Sequence, residues 1–238
     1  NEAFGQKRKK KKAYWKGFSK TMIRNFIEST NLMCLTRDDS ELNHLQQIEA
    51  FISAGAKLVQ LRAKTAPLSD LKIQALKASE LCKKYGCNLI INDDYELAKE
   101  VDADGVHLGI KDAPVGVARS FLSKSKLIGK TVHSILDAQT AVSERPDYVG
   151  LGPFRKSSTK KEIQPILSEQ DFREIIHILN PIPVFLIGGL TFNDFHLVDD
   201  FNIQGLALCS ELFTEIKNNS VSFETLIESR RFLPSFTN

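Results

Sequence analysis

The chain has 238 residues, 42% of them hydrophobic and 26% charged, which supports one sizeable core. No apolar run approaches the roughly 20 residues that span a bilayer. The net charge of +3 is uneven: residues 1–24 hold nine Lys or Arg and one Glu, leaving 23 basic and 28 acidic residues in the rest. Basicity is thus a property of a tail, and the acidic body gives little reason to expect a nucleic-acid partner.

The tail comes first. "GQKRKKKKAYWKGF" is a like-charge block followed by aromatics, and it carries no apolar segment of a secretory signal. It reads either as an RNA-binding or nuclear-targeting arm or, more plainly, as a solvated extension. Phe18, Met22, Phe26 and Ile27 then recur at helical spacing and predict an amphipathic helix over 17–28. Residues 1–30 form the expected extension and 31–238 the expected single domain.

From residue 31 a regular alternation begins. Apolar runs stand at 31–36, 57–62, 88–93, 105–110, 126–133, 148–154, 183–189 and 205–210, with helical patterns such as LSDLKIQALKASELCKKYG between them. Runs that are continuously apolar, rather than alternating, suit parallel strands covered on both faces. Eight such strands with intervening helices predict an α/β chain folded as a (β/α)8 TIM barrel. A doubly wound open sheet is the second choice, but neither a GxGxxG motif nor a P-loop supports it. Cys34, Cys82, Cys87 and Cys209 lack CxxC spacing, so a reduced, cytoplasmic chain with buried thiols is expected, and zinc is not.

In a barrel of this kind, chemistry sits at the C-terminal ends of the strands. Those ends carry Gln60, Arg62 and Lys64, then Asn92 and Asp93, Asp112, Thr131 and His133, and the loop RKSSTKK. Gly188, Gly189, Cys209 and Ser210 complete the set. Two carboxylates at neighbouring strand mouths, Asp93 and Asp112, can share one hard cation such as Mg²⁺, whose remaining ligands come from phosphate oxygens and water. Arg62, Lys64 and Lys160 would then face the same polyphosphate. Alternatively, the two aspartates merely cap the helices that follow them. Likewise the glycine pair, with Cys209 and Ser210, is either a phosphate cup or a tight turn. Ser157, Ser158, Thr159 and Lys160 make either an anion-binding loop or a solvated one. His107 and His133 lie within strand runs and read as orienting rather than proton-carrying groups.

The stretches QLRAK (60–64), IND (91–93), ADGVHLGIKD (103–112), IGKTVHS (128–134), DYVGLGP (147–153), SSTK (157–160), IGG (187–189) and CS (209–210) together resemble the thiamine phosphate synthase family, in family order from about 31 to 213. The resemblance implies a (β/α)8 transferase that joins hydroxymethylpyrimidine diphosphate to a thiazole phosphate and releases pyrophosphate. It implies that Gln60, Arg62, Lys64, Asn92, Thr131 and Lys160 hold the pyrimidine diphosphate. Among these, Arg62, Lys64, Lys160 and Thr131 would assist the chemistry. Asp93 and Asp112 would hold Mg²⁺, and Ser157, Ser158, Thr159, Gly189, Cys209 and Ser210 the thiazole phosphate. Thr131 and Ser157 exchange one hydroxyl residue for another relative to the family pattern. Ile110 stands where Gln is usual, and Asp94 where Arg is usual. The rival readings are a thiazole tautomerase on the same barrel and a non-catalytic barrel that binds phosphate ligands or, through its tail, RNA. A homo-oligomer is left open.

Overall fold

The computed structural model describes residues 30–155 and 167–218, together with Ser222, Phe223, Thr225 and Glu228. The basic block, the helix expected over 17–28 and the loop residues Ser157, Ser158, Thr159 and Lys160 lie outside the described residues.

All eight apolar runs are strands: β1 (Leu32–Leu35), β2 (Leu58–Leu61), β3 (Asn88–Asn92), β4 (Gly105–Leu108), β5 (Leu127–Val132), β6 (Tyr148–Leu151), β7 (Val184–Ile187) and β8 (Gly205–Leu208). They are parallel and pair in sequence order, and β1 also pairs with β8, so the sheet closes into a barrel. Closure rules out the open doubly wound sheet. Helices α1 (His44–Ser53), α2 (Leu68–Tyr85), α3 (Tyr95–Glu100), α4 (Val115–Phe121), α5 (Ile135–Glu144), α6 (Glu169–Leu179), α7 (His196–Asp200) and α8 (Ser210–Asn218) lie between or after the strands, with a 3₁₀ turn at Phe192–Phe195. Short polar caps start several of them: Asn43 for α1, Ser134 for α5 and Ser168 for α6 each accept a backbone N–H of the first turn.

The two-residue period of a strand divides its side chains between two layers. Met33, Leu35, Leu58, Ile90, Leu127, Tyr148, Phe185 and Ala207 fill the barrel interior. Residues such as Val59, Ile91, Val106, Ile128, Val132 and Leu186 face outward and join the larger core beneath the helices. One step up the inward row, toward the C-terminal ends, apolar residues give way to polar ones: Leu58 to Gln60, and Ile90 to Asn92. The barrel is therefore an apolar plug with a polar mouth.

Strands end earlier than the apolar runs suggest, and the backbone supplies the reason. Asp93 has φ 67°, Gly188 φ 100° and Gly189 φ 64°, so β3 and β7 break into left-handed turns where the runs continue. Cys34, Cys82 and Cys87 are buried, Cys209 is partly exposed, and all four thiols are free. Among the described residues no helix is long and apolar enough to cross a membrane.

Candidate active site

Asp93 stands on the turn after β3, its amide donating to the His107 carbonyl at 2.7 Å. Its carboxylate forms an ion pair with the Lys64 ammonium from the loop after β2. Burial is the main cause that pushes the Asp93 carboxyl above the ordinary range; the Asp112 carboxyl beside it adds to the rise, against the pull of Lys64. Both carboxylates flank Gly109. A Cβ on that glycine would lie 2.9 Å from Asp112 Oδ2 and 3.9 Å from Asp93 Oδ1, so a side chain there would displace the Asp112 carboxylate.

Neither aspartate is a helix cap. Asp94, not Asp93, starts α3, its Oδ1 accepting from Leu97 N at 2.8 Å. Helix α4 starts at Pro114 with no side-chain cap. Asp112 Oδ2 instead accepts the Gly109 amide at 2.6 Å, while the Asp112 amide donates to the Gly109 carbonyl at 3.2 Å. That small ring holds the carboxylate at the mouth of β4. Two adjacent hard oxygen donors with a cationic neighbour fit a Mg²⁺ ion whose other ligands come from a diphosphate and water. Among the described residues no group of three or more His, Cys, Asp or Glu could hold a metal by itself.

Deeper in the mouth, His107 Nε2 lies 2.9 Å from Thr131 Oγ1 and Nδ1 lies 3.1 Å from Tyr148 Oη. The imidazole therefore orients Thr131. His133 Nδ1 hydrogen-bonds the Gly152 carbonyl. Gln60 is buried, with its amide on the Met33 sulfur at 3.3 Å. Arg62 lies near Cys209: burial raises that thiol to about 11, and the guanidinium pulls the other way. The turn bearing Arg62 and Lys64 is braced from strand β1, whose end the sequence reading passed over. Asp38 accepts the Lys64 amide at 3.0 Å and lies 3.3 Å from His44, and Thr36 Oγ1 accepts the Arg62 amide at 2.9 Å.

Across the mouth the materials change. A Cβ on Gly188 would come within 2.8 Å of Pro153, so this turn excludes side chains as well as requiring positive φ. Arg155 forms two 2.8 Å hydrogen bonds with buried Asp194, which also accepts the Thr191 amide at 2.8 Å. Burial opposes ionisation of Asp194, but the Arg155 and Thr191 hydrogen bonds outweigh it and hold the carboxyl below its usual range. Ser210 is exposed at the start of α8, directly after β8, which neighbours β7.

The thiamine monophosphate synthase family model matches residues 32–212. The chain belongs to that family. It is 34% identical over 185 residues to the thiamine-phosphate synthase of Phocaeicola vulgatus, covering 76% of this chain and 89% of that one. The Methanobrevibacter smithii thiamine-phosphate synthase is 34% identical over 204 residues, 86% of this chain and 96% of its own. In fold, the thiamine phosphate pyrophosphorylase from Pyrococcus furiosus superimposes with a TM-score of 0.73 at 24% identity, covering 87% of this chain and 99% of that one.

Within this family frame the structure gathers Lys64, Asp93 and Asp112 at one side of the mouth, and Thr131 beside His107. At one departure from the family pattern, the Asp94 carboxylate caps α3. Ile110 is 45% exposed and lines a pocket beside Asp112. Besides the β1 brace and the Arg155–Asp194 pair, the sequence reading missed Lys130. A lysine inside the apolar run KLIGKTVH was the available signal.

Proposed function

We propose that the chain couples hydroxymethylpyrimidine diphosphate to a thiazole phosphate, forming thiamine phosphate and pyrophosphate. The convergence of the Asp93 and Asp112 carboxylates on Gly109, with Lys64 alongside, carries this reading. A thiazole tautomerase has no use for such a pair.

In the proposed reaction the pyrimidine CH₂–O bond breaks, with its electron pair leaving on the diphosphate. The thiazole nitrogen lone pair then forms the new C–N bond. No protein nucleophile takes part, and the protein's task is to stabilise charge that grows on the leaving group. Asp93 and Asp112 would hold Mg²⁺, which when bound supplies positive charge to the departing diphosphate. Lys64 adds a cation beside them, and Arg62 and Lys160 would add further positive charge toward the diphosphate. Gln60, Asn92 and Thr131 orient the pyrimidine diphosphate, and the His107 hydrogen bond fixes the Thr131 hydroxyl. Gly189, Cys209 and Ser210, with Ser157, Ser158 and Thr159, receive the thiazole phosphate, where amides at the start of α8 and in the glycine turn favour an anion. A cytoplasmic setting suits these soluble substrates, and the barrel of residues 31–238 is the catalytic unit.

The test is reconstitution. Purified protein, both substrates and Mg²⁺ are expected to yield thiamine phosphate and pyrophosphate in equal amounts. Isomerised thiazole phosphate without pyrophosphate would favour the tautomerase reading, and no turnover of either kind would favour a binding barrel.

A further inference from the structure

Strand β5 places Ile128, Lys130 and Val132 on its outward row, toward the helices. Ile128 and Val132 are fully buried in the outer core, and Lys130 between them is only 7% exposed. An ammonium in such a layer loses its hydration and persists where polar groups replace that water. Its four-carbon stem suits the apolar surroundings, so the stem and the charged head have separate tasks.

The head reaches sideways to the neighbouring strand. Leu108 of β4 stands opposite Lys130 in the register, and the Lys130 ammonium donates to the carbonyl of the next residue, Gly109, at 3.1 Å. That carbonyl also accepts the Asp112 amide, and the Gly109 amide donates to Asp112 Oδ2. Lys130 therefore joins the ring that fixes Asp112. It also lines one pocket, of about 150 Å³, with Asp112, Ile110 and Glu144, whose buried Oε2 has no hydrogen-bond partner among the described residues. The wall that the ammonium joins thus carries three carboxylates, Asp112, Asp137 and Glu144.

We propose that Lys130 is a positioning residue for the metal site: by clamping the Gly109 carbonyl from behind the barrel wall it keeps the Gly109–Asp112 turn in the shape that presents the Asp112 carboxylate to a divalent cation. The proposal rests on the reading of Asp93 and Asp112 as metal carboxylates. The contact that Lys130 makes is with the Gly109 carbonyl and not with either carboxylate of the pair. Its effect passes through Gly109, as the effect of groups behind metal ligands commonly does.

A structural role and a positioning role separate in one variant. Lys130→Met keeps an unbranched apolar stem and removes the ammonium, and because the Gly109 carbonyl still accepts the Asp112 amide the fold is expected to survive the exchange. Binding of Mn²⁺ in the presence of inorganic pyrophosphate, followed by electron paramagnetic resonance, is expected to weaken about tenfold in Lys130→Met. The Mg²⁺ concentration for half-maximal activity should rise in parallel, while KM for the thiazole phosphate stays put and the metal-free melting temperature does not fall. Unchanged or tighter Mn²⁺ binding in Lys130→Met would overturn the proposal, as would weakening that tracks a lowered melting temperature. Should Lys130→Met not fold, Lys130→Gln is read by the same criteria. Asp112→Asn tells the two levels apart. If it weakens Mn²⁺ binding and Lys130→Met does not, only the role of Lys130 fails; if it too leaves binding intact, the metal assignment itself fails.

Discussion

The mouths of β2 to β5 carry charged and polar side chains, whereas the mouths of β7 and β8 carry glycines, small residues and the start of a helix. The first side needs support for each polar group. Asp112 is held by the Gly109 amide, the Lys64 turn by Asp38, and Thr131 by His107. The second side needs backbone shape, supplied by positive φ at Gly188 and Gly189 and by the Arg155–Asp194 pair beside them. The difference fits two ligands of unequal demand. A leaving diphosphate gains charge during the reaction and calls for cations placed in advance, while a phosphate that is only bound can be met by amides and dipoles.

That contrast can be broken at its cationic side first. Lys64→Met removes a cation that the proposal sets against the leaving diphosphate, and kcat/KM is expected to fall about a hundredfold, about 2.7 kcal/mol. A loss below about tenfold, measured by pyrophosphate release, would mean that Lys64 only neutralises Asp93.

The amide side is sharpened by Ser210→Asp, which sets a negative charge at the start of α8. KM for the thiazole phosphate should rise about tenfold, about 1.4 kcal/mol, with little change for the pyrimidine diphosphate. Equal rises for both substrates would count against a division of the mouth into two sites.

The smallest effect is expected outside both. Deleting residues 1–16, which carry much of the basic block, should change kcat/KM by less than about tenfold. A larger loss in the same assay would give the extension a part in the site.

The barrel was legible because burial on both faces leaves one kind of trace, a short run of apolar residues, and eight of these alternate with helical patterns. The strand-end acids were legible too, since the fold alone sends them to the mouth. Which of two adjacent acids caps α3 was not. Asp93 and Asp94 suit that role equally by residue type, and only the left-handed turn at Asp93 separates them. Lys130 and Asp38 were hidden for another reason. Each acts on a residue of a neighbouring strand or turn, through a register that no single run of sequence carries.

The metal role proposed for Asp93 has the most direct test. Turnover of the two substrates is to be followed by pyrophosphate and thiamine phosphate, with Mg²⁺ and with chelator, for the unaltered chain and for Asp93→Asn. Product is expected only with Mg²⁺ or a similar hard cation, and most activity should be lost in an Asp93→Asn protein that keeps its fold, because the amide preserves shape and removes the charge. Pyrophosphate release indifferent to chelator, or undiminished in Asp93→Asn, would contradict that role.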